Sequence, residues 1–294
     1  MTPLLLVALA LLCVYSTADA GTRASLETAG VERICADSDL AGRETLPVPG
    51  TAARAGVASP TRAPWIVASG WRFVRHPDAK YVYDVPVGKA ALAAAEAFAY
   101  GADAALKIDP ADVRLLGEML RFLGALPPAD LPAVSDLAIV DDGSEITGEV
   151  MNLLARRNLL FEVVRAPSPR FPINVRISTA EYPREEAADP SAFALKIRRQ
   201  LTDDQRVLRV YGSEVVICRL TADGGRARLH LINYGGREIE GLRIRMRGAY
   251  KDAGAHIAGV GRIALQDQVV ASGATEFSLP RLTTYAVIDL EEVR

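Results

Sequence analysis

The alternation of apolar and polar positions is clearest between Leu137 and Val164. An apolar run (Leu137–Val140) is followed there by a polar turn (Asp141–Ser144), an amphipathic segment and a second apolar run (Leu159–Val164). A short apolar strand that ends in a polar turn and leads into a helix is typical of a buried strand in a parallel sheet. The pattern therefore predicts a strand, a helix and a second strand that lies beside the first in one parallel sheet.

The helix of this unit carries its own start and stop signals. Asp142 or Ser144 can accept hydrogen bonds from the free N–H groups of the first turn, and Glu145 follows Asp142 at the spacing of a capping box. Apolar side chains then recur on one helical face, and Asn158 is predicted to end the helix.

Three further helices are predicted around this unit. An Ala-rich helix spans Gly88–Tyr100, and two helices, Pro110–Leu126 and Pro190–Leu201, each follow an Asp-Pro pair. Aspartate is a favoured N-cap and proline suits the first helical position. The strands predicted alongside them are Trp65–Ser69, Ala104–Ile108 and Ile173–Ile177.

The apolar period changes to two from Arg206 onward, with turn signals such as Asp223-Gly224-Gly225 between the runs. The predicted fold class is α/β: a parallel-sheet layered domain over residues 65–203, partly barrel-like or flavodoxin-like, followed by an antiparallel β-sandwich domain over residues 204–294. The strands predicted for the sandwich are Val207–Val210, Glu214–Leu220, Arg226–Ile232, Leu242–Met246 and Thr284–Leu290.

The first twenty residues have the pattern of a secretory signal peptide. An apolar core is followed by Ala18-Asp19-Ala20, with small residues where a signal peptidase cleaves. We predict export, periplasmic or extracellular, with cleavage near Ala20. Residues 21–64 are rich in Ala, Gly, Thr, Arg and Pro with weak periodicity, and they are predicted to form an irregular arm or linker. No later stretch is apolar for long enough to span a membrane.

The cysteines leave two possibilities open. Cys13 would be removed with the signal peptide, and Cys35 and Cys218 could then pair in an oxidising compartment. Cys218, which alternates with apolar neighbours, is better interpreted as a small buried hydrophobic residue. No CxxC or His–Cys cluster suggests a metal, so the sequence predicts neither a metal site nor a cofactor.

Charge excludes one class of partner. The chain has 34 basic and 36 acidic residues and a formal net charge of -2. This balance lacks the basic footprint of a nucleic-acid-binding protein, so no nucleic-acid partner is predicted.

Acidic side chains are the candidates for catalysis. Asp141, Asp142, Glu145 and Glu149 cluster where a parallel sheet commonly places its ligand site, beyond the carboxyl ends of the strands. Helix capping and a solvated helix face explain most of this cluster without any chemistry. If the protein is an enzyme, the candidate acids and bases are Asp84, Asp141 and Glu149.

An aromatic and charged segment, Trp71–Asp84, is the first candidate ligand surface. It supplies the flat apolar faces and the hydrogen-bonding groups that a sugar-binding surface needs. A plain hairpin of RFVR and KYVYD explains the same alternation. The candidate ligand residues in the segment are Trp71, Arg72, Arg75, His76, Tyr81 and Tyr83.

Arginines in the predicted sandwich form the second candidate surface. Arg243, Arg245 and Arg247 alternate with apolar residues, and Arg226 and Arg228 repeat the pattern on another strand. The pattern predicts one basic sheet face, either simply solvated or suited to an acidic polysaccharide or anionic envelope partner through Arg243 and Arg245.

The chain resembles a known family over residues 90–294. The helix IDPADVRLLGEMLRFLGAL, the unit LAIVDDGSEITGEVMNLLARRNLLFEVV, and the segments RLHLINYGG and TEFSLPRLTTYAVIDLE carry the resemblance. Their order resembles the C-terminal part of bacterial β-galactosidase-type glycoside hydrolases. That part comprises the end of a (β/α) barrel, a glutamine-amidotransferase-like α/β domain and a small β-domain.

The sequence departs from that family at the catalytic positions. The strand WIVASG has no Glu at its end, no Cys follows LAIV, and too few strands are predicted to close a barrel. The resemblance therefore implies an exported, non-catalytic protein that binds carbohydrate or assembles with envelope or polysaccharide-processing partners. The alternative is a glycosidase-like hydrolase that acts on a polysaccharide. The resemblance also implies possible self-association through the α/β domain, by an exposed apolar patch on an Ala-rich or Leu-rich helix.

Overall fold

The computed structural model describes residues 11–15, 20–52 and 65–293. Three structural units follow one another along the chain: a parallel α/β sheet, a smaller parallel α/β sheet, and a sandwich of two antiparallel sheets. The predicted fold class, an α/β part followed by a β-sandwich, is confirmed.

The first unit is built on a four-stranded parallel sheet with the strand order β1, β6, β5, β2, beside an antiparallel pair of β3 and β4. The strands are β1 (Leu12–Tyr15), β2 (Glu44–Leu46), β3 (Gly50–Ala52), β4 (Trp65–Val67), β5 (Lys80–Asp84) and β6 (Asp103–Lys107). The helices are α1 (Ala20–Thr28), α2 (Gly70–Arg75), α3 (Ala90–Tyr100) and α4 (Val113–Ala125).

The Ala-rich helix α3 lies inside this unit. Its central residues, from Leu92 to Ala99, are all buried, because small side chains let neighbouring elements approach the helix backbone closely. Buried Asp112 fixes the start of the helix by accepting hydrogen bonds from the N–H groups of Gly88 and Ala90. The exposed apolar patch predicted for self-association is therefore not on the Ala-rich helix α3. On the Leu-rich helix α4, Leu115 is exposed.

The segment before Trp65 is more ordered than the sequence predicts. In the described part of residues 21–64, the predicted arm is replaced by α1, a short 3-10 turn (Asp37–Asp39), β2 and β3. Leu26 and Leu46 are buried in the core of the first unit. Each of these short elements buries too few residues to produce a local period, so the pattern of the sequence missed them.

Strand β1 brings the N-terminal region into the sheet. It pairs in parallel with β6, its residues Leu12, Cys13 and Val14 are buried, and Cys13 forms a disulfide bond with Cys35. Cys218 is buried and free, which confirms its interpretation as a small hydrophobic residue and excludes its pairing with Cys35. The signal peptide stays a prediction, and its residues 1–10 and 16–19 lie outside the described ranges.

The second unit follows the sequence pattern closely. Its three-stranded parallel sheet has the order β8, β7, β9, and Ser144 Oγ caps the first helix by accepting from the N–H of Thr147. Asn158, at φ 52°, ends that helix in the left-handed region. The strands are β7 (Leu137–Val140), β8 (Phe161–Val164) and β9 (Asn174–Val175), and the helices are α5 (Glu145–Arg156), α6 (Arg184–Ala187) and α7 (Pro190–Leu201).

The third unit is the sandwich, whose sheets have the strand orders β10, β13, β17, β16 and β11, β12, β18, β14, β15. All five strands predicted from the sequence are present within a few residues, and four further strands complete the sheets. The strands are β10 (Leu208–Tyr211), β11 (Val216–Asp223), β12 (Arg226–Asn233), β13 (Ile239–Arg247), β14 (Tyr250–Ile257), β15 (Gly261–Ile263), β16 (Gln266–Ala271), β17 (Ala274–Leu282) and β18 (Tyr285–Glu292).

A buried carboxylate joins the first and third units. Glu96, on α3, accepts hydrogen bonds from the hydroxyls of Tyr83 (2.6 Å) and Tyr234 (2.7 Å), and from the N–H groups of Ser69 (2.6 Å) and Gly70 (3.2 Å). Tyr83 belongs to β5 and Tyr234 follows β12, so one side chain connects a strand, two helices and the sandwich. Within the described ranges, no helix is both long and apolar enough to cross a membrane.

Candidate functional site

The candidate catalytic acids lie at the ends of strands of two different sheets and on a helix. Asp84 is exposed at the carboxyl end of β5 and pairs with Lys107 Nζ at 2.5 Å. Asp141, at the end of β7, binds Arg75 through two hydrogen bonds of 2.7 and 2.9 Å, and Glu149 is exposed on α5. These three acids therefore do not face one another across a single sheet edge.

Hydrogen bonds keep Asp141 and Asp142 ionised. Burial alone would raise the pKa of Asp141, but hydrogen bonds from Arg75 and from the N–H of Gly143 outweigh it and lower that pKa. The pKa of Asp142 is also lowered, since bonds from the hydroxyl and the N–H of Ser144 outweigh its partial burial. Both carboxylates hold the turn that precedes α5. The cap itself is Ser144, one of the two residues predicted for it, and not Asp142.

The aromatic segment is not a hairpin. Its first half forms helix α2, and only its second half, KYVYD, is a strand. The reason is a long-range cap: Glu96 accepts from the N–H groups of Ser69 and Gly70 and so satisfies the helix N-terminus. Helix formation turns Trp71 and Phe73 into the core, a result that local alternation could not predict.

Among the ligand residues predicted in this segment, burial separates two groups. Trp71, Tyr81 and Tyr83 are buried, whereas His76 is exposed. Arg72 lies over the Trp71 ring, with its guanidinium carbon 4.3 Å from the ring centroid. Arg75 is committed to Asp141 and to the carbonyl oxygen of Ser144.

The single basic sheet face predicted for the sandwich is wrong. Arg243 and Arg245 lie on β13, but Arg226 and Arg228 lie on β12, which belongs to the other sheet. The period of two places residues on the faces of one strand, but it does not show which strands share a sheet. Carboxylates partly neutralise the arginines: Glu276 lies 2.8 Å from Arg243 and 3.8 Å from Arg245.

A cavity of about 220 Å³ lies where the three units meet. It is enclosed by α2, the end of α3, the segment before β7, the junction of α5 with β8, and β11. Of the predicted ligand residues, Trp71 is the one that lines it. The lining residues are Gly70, Trp71, Phe73, Val74, Pro77, Tyr100, Ala133, Val134, Ser135, Ala155, Asn158, Leu159, Leu160, Phe161, Glu162, Cys218, Arg219 and Leu220.

Several polar groups of the lining have no hydrogen-bond partner among the described residues. The indole N–H of Trp71 is buried without a hydrogen-bond acceptor. The side chains of Tyr100, Ser135 and Arg219 also make no hydrogen bond to another described residue. A buried polar group usually has a partner. The Trp71 N–H is therefore available to a ligand, as are the partly exposed side chains of Tyr100, Ser135 and Arg219.

Other polar lining groups are already engaged. The Asn158 amide donates to the carbonyl oxygen of Val216 and accepts from the N–H of Cys218, and so it ties the second unit to the sandwich. Glu162 pairs with Arg170 at 2.8 Å. Burial raises the pKa of the Cys218 thiol, which therefore stays protonated and unreactive.

Two glycines position the aromatic lining. A Cβ on Gly70 would lie 2.3 Å from Cζ of Tyr100, and one on Gly148 would lie 3.1 Å from Cζ3 of Trp71 and 2.8 Å from Nη1 of Arg75. The absence of a side chain at each glycine thus allows a ring to lie directly against a helix. The sequence gives no local signal for these contacts.

Replacing Gly148 with Ala is expected to destabilise the protein by about 1 kcal/mol, because Trp71 and the paired Arg75 must both shift. Better helix propensity offsets part of the steric cost, by up to about 1 kcal/mol. Urea unfolding followed by tryptophan fluorescence measures the change. Glu149→Ala, an exposed neighbour on the same helix, serves as the control and should be neutral. A Gly148→Ala protein more stable than wild type would contradict the packing.

Sequence patterns missed most of the cavity lining. Tyr100, Ser135 and Arg219 come from three separate parts of the chain, and nothing local links them. One feature of the sequence does point to the cavity: Arg219 is a single charged residue within the otherwise apolar strand VVICRL. Within the described residues, no group of three His, Cys, Asp or Glu side chains is placed to hold a metal ion.

Several solved structures of glycoside hydrolases align with this chain. The alpha-L-fucosidase isoenzyme 2 from Paenibacillus thiaminolyticus aligns with a TM-score of 0.53 and 9% sequence identity, over 76% of this chain and 62% of that chain. A catalytic mutant of a GH42 beta-galactosidase from G. stearothermophilus aligns at 0.40 and 9%, over 94% and 57%. The beta-galactosidase from Bacillus circulans sp. alkalophilus aligns at 0.38 and 8%, over 95% and 59%.

The fucosidase alignment supports a resemblance in fold to a glycoside-hydrolase domain, at low identity and over part of that protein. The chain spans less than two thirds of the length of each of the three. At 9% identity the likeness to the fucosidase concerns the fold alone. The sequence matches no protein-family model and no curated protein.

Proposed function

We propose that this protein is an exported, non-catalytic relative of glycoside-hydrolase domains that binds carbohydrate in the cavity between its three units. The observation that carries the proposal is the lining itself. Four aromatic residues, Trp71, Phe73, Tyr100 and Phe161, stand beside polar groups that have no hydrogen-bond partner among the described residues. Aromatic faces and free hydrogen-bonding groups are what recognition of a sugar ring requires.

The size of the cavity favours a ligand of a single ring. A volume of about 220 Å³ is below the range of roughly 300–1,000 Å³ typical of pockets for larger ligands. The ligand is therefore a monosaccharide or one ring of a longer glycan.

The state of the acidic residues supports binding without hydrolysis. A glycosidase needs two carboxyl groups at about 5 to 10 Å on either side of the bond it cleaves. Asp84 and Asp141 are engaged in ion pairs, and they end strands of separate sheets. Neither of them, nor Glu149, lines the cavity.

Export is part of the proposal. The sequence pattern of the first twenty residues favours it. The Cys13–Cys35 disulfide would persist in an oxidising compartment, but only in a chain that keeps its first twenty residues. Assembly with envelope or polysaccharide-processing partners, and self-association, are further possibilities that the resemblance implies. The cavity supplies no argument for either of them.

The test is calorimetric titration of the full chain with a panel of monosaccharides and short glycans, with released sugar assayed in the same samples. We expect binding without product. Tyr100→Phe, which removes only the hydroxyl, should weaken binding about three- to tenfold, the effect of one lost hydrogen bond. Trp71→Phe, which removes the indole N–H, should weaken it at least as much.

The control is His76→Ala, since His76 is exposed and does not line the cavity. It should bind like wild type. If the Trp71 and Tyr100 variants bind sugar as tightly as wild type does, the sugar does not bind in this cavity. Release of sugar by the purified protein, abolished by Asp84→Asn or Asp141→Asn, would favour the hydrolase alternative.

A further inference from the structure

Arg219 is a positive charge without a counter-ion at the cavity. On β11, Cys218 and Leu220 face the sandwich core, whereas Ile217 packs into the core of the first unit. Arg219 shares the Ile217 face because side chains alternate along a strand. Its guanidinium carbon lies 4.8 Å from the ring centroid of Tyr100, another lining residue. No ion pair or hydrogen bond of its side chain to another described residue is present.

Three other arginines with largely buried side chains are neutralised. The largely buried guanidinium groups of Arg43, Arg75 and Arg228 each lie 2.6 to 2.7 Å from a carboxylate oxygen. Removing a cation from water without such a partner is unfavourable. Consistently, burial lowers the pKa of Arg219. Unlike these three arginines, Arg219 faces the cavity and has no ion-pair partner among the described residues.

The titratable groups near Arg219 do not neutralise its charge. Burial, together with the charges of Arg228 and Arg219, lowers the pKa of His230 to about 3, so this imidazole is neutral at physiological pH. Asp289 is already held by Arg228 through hydrogen bonds of 2.6 and 2.8 Å. The carboxylate of the cavity lining, Glu162, pairs with Arg170.

We propose that the cavity selects a sugar that carries a carboxylate, a hexuronic acid, with its carboxylate bound to Arg219. The guanidinium would donate to the carboxylate oxygens, a charge-assisted contact that favours planar acids. The ring would lie among the aromatic side chains, within reach of the Trp71 N–H and the hydroxyls of Tyr100 and Ser135. This assignment rests on the proposed function, since it names the sugar class for the same cavity.

The experiment compares two acid and neutral pairs on the full chain: galacturonate with galactose, and glucuronate with glucose, at one fixed ionic strength. At least one uronate should bind at least tenfold more tightly than its neutral partner. Arg219→Met, which keeps the aliphatic stem and removes the charge, should reduce that uronate to the affinity of the neutral sugar. Arg114→Gln removes an exposed, distant charge and should change nothing.

The outcomes separate this inference from the proposed function. Equal binding of acidic and neutral sugars would overturn the selection by charge and leave carbohydrate binding intact. No binding of any sugar on the panel would overturn both. Acetate that binds as tightly as the uronate would show a bare anion site, which also overturns the inference.

The stability of the ligand-free protein gives a second readout. If Arg219 is kept for a ligand, the Arg219→Met protein should unfold at an equal or higher urea concentration than wild type, because an uncompensated charge has been removed. A clear loss of stability would instead show that Arg219 supports the fold through Tyr100, and would contradict a role in ligand recognition. Wild type and the Arg219→Met protein are both measured without sugar.

Discussion

Replacing Glu96 with Ala is expected to lower the free energy of unfolding by about 4 kcal/mol. The carboxylate is fully buried and accepts four hydrogen bonds. Its removal leaves two tyrosine hydroxyls and two amide N–H groups buried without an acceptor, at a cost of roughly 1–3 kcal/mol for each group that finds no new partner. Urea unfolding of the full chain measures the difference.

Matched variants separate the network from simple truncation. Tyr234→Phe removes one donor and should cost about 1 kcal/mol. Glu118→Ala, on the exposed surface of α4, removes only a surface pair with Arg114 and should cost less than about 0.5 kcal/mol. A Glu96→Ala protein as stable as the Glu118→Ala protein would show that water replaces the carboxylate without loss.

The pH dependence of stability tests the protonation of Glu96. Burial raises the pKa of this carboxyl above its ordinary value of 4.5, against the opposing effect of its hydrogen bonds. As the pH rises, the unfolded chain therefore releases this proton first. The contribution of Glu96 to stability is fully present below the unfolded pKa and declines as the pH rises through the folded one.

Comparison with Glu96→Gln isolates this group from the other acids. Because glutamine does not titrate, the stability advantage of wild type over the variant should shrink as the pH is raised from 4 towards neutrality. An advantage that grows with pH would mean that the hydrogen bonds dominate, and that the pKa of Glu96 is lowered in the folded state. Urea midpoints of the two proteins, measured at each pH, decide between these results.

The parts of the fold that the sequence predicts are those that local interactions determine. In the second unit, Ser144 caps helix α5 by accepting a hydrogen bond from the N–H of Thr147, three residues later. Asn158 ends the same helix. In contrast, α2 depends on Glu96, which lies 26 residues beyond Gly70 and caps the helix from another element. The local alternation predicts a hairpin there, because it contains no signal of a cap that comes from a distant residue.

The candidate site shows the same division. Trp71 was recognisable as a possible ligand residue because an aromatic and charged segment surrounds it. The sequence offers a hairpin for this segment, but Trp71 lies on helix α2, and its indole lines the cavity while packing against Gly148. Arg219 and Tyr100 meet only when the sandwich docks on the first unit, so no period or motif along the chain connects them.

Removal of residues 1–20 is expected to destabilise the folded chain by more than the roughly 3 kcal/mol assigned to one disulfide bond of this span. A chain that begins at Gly21 lacks β1, which pairs with β6 along four residues. It also loses the burial of Leu12 and Val14, worth about 1.5–3 kcal/mol for each fully buried side chain. The edge of β6 would then be unpaired and open to other chains.

Three proteins resolve these contributions: the full chain, the full chain with Cys13→Ser, and the chain from Gly21. Urea unfolding should rank them in that order of decreasing stability, and the Cys13→Ser protein should lose about 3 kcal/mol. The mass of the exported protein then links stability to processing. Cleavage near Ala20 would remove both β1 and the Cys13–Cys35 bond, so export with these elements intact requires an uncut N-terminus. A chain from Gly21 that equals the full chain in stability would show that β1 adds nothing to the mature fold, and would favour cleavage.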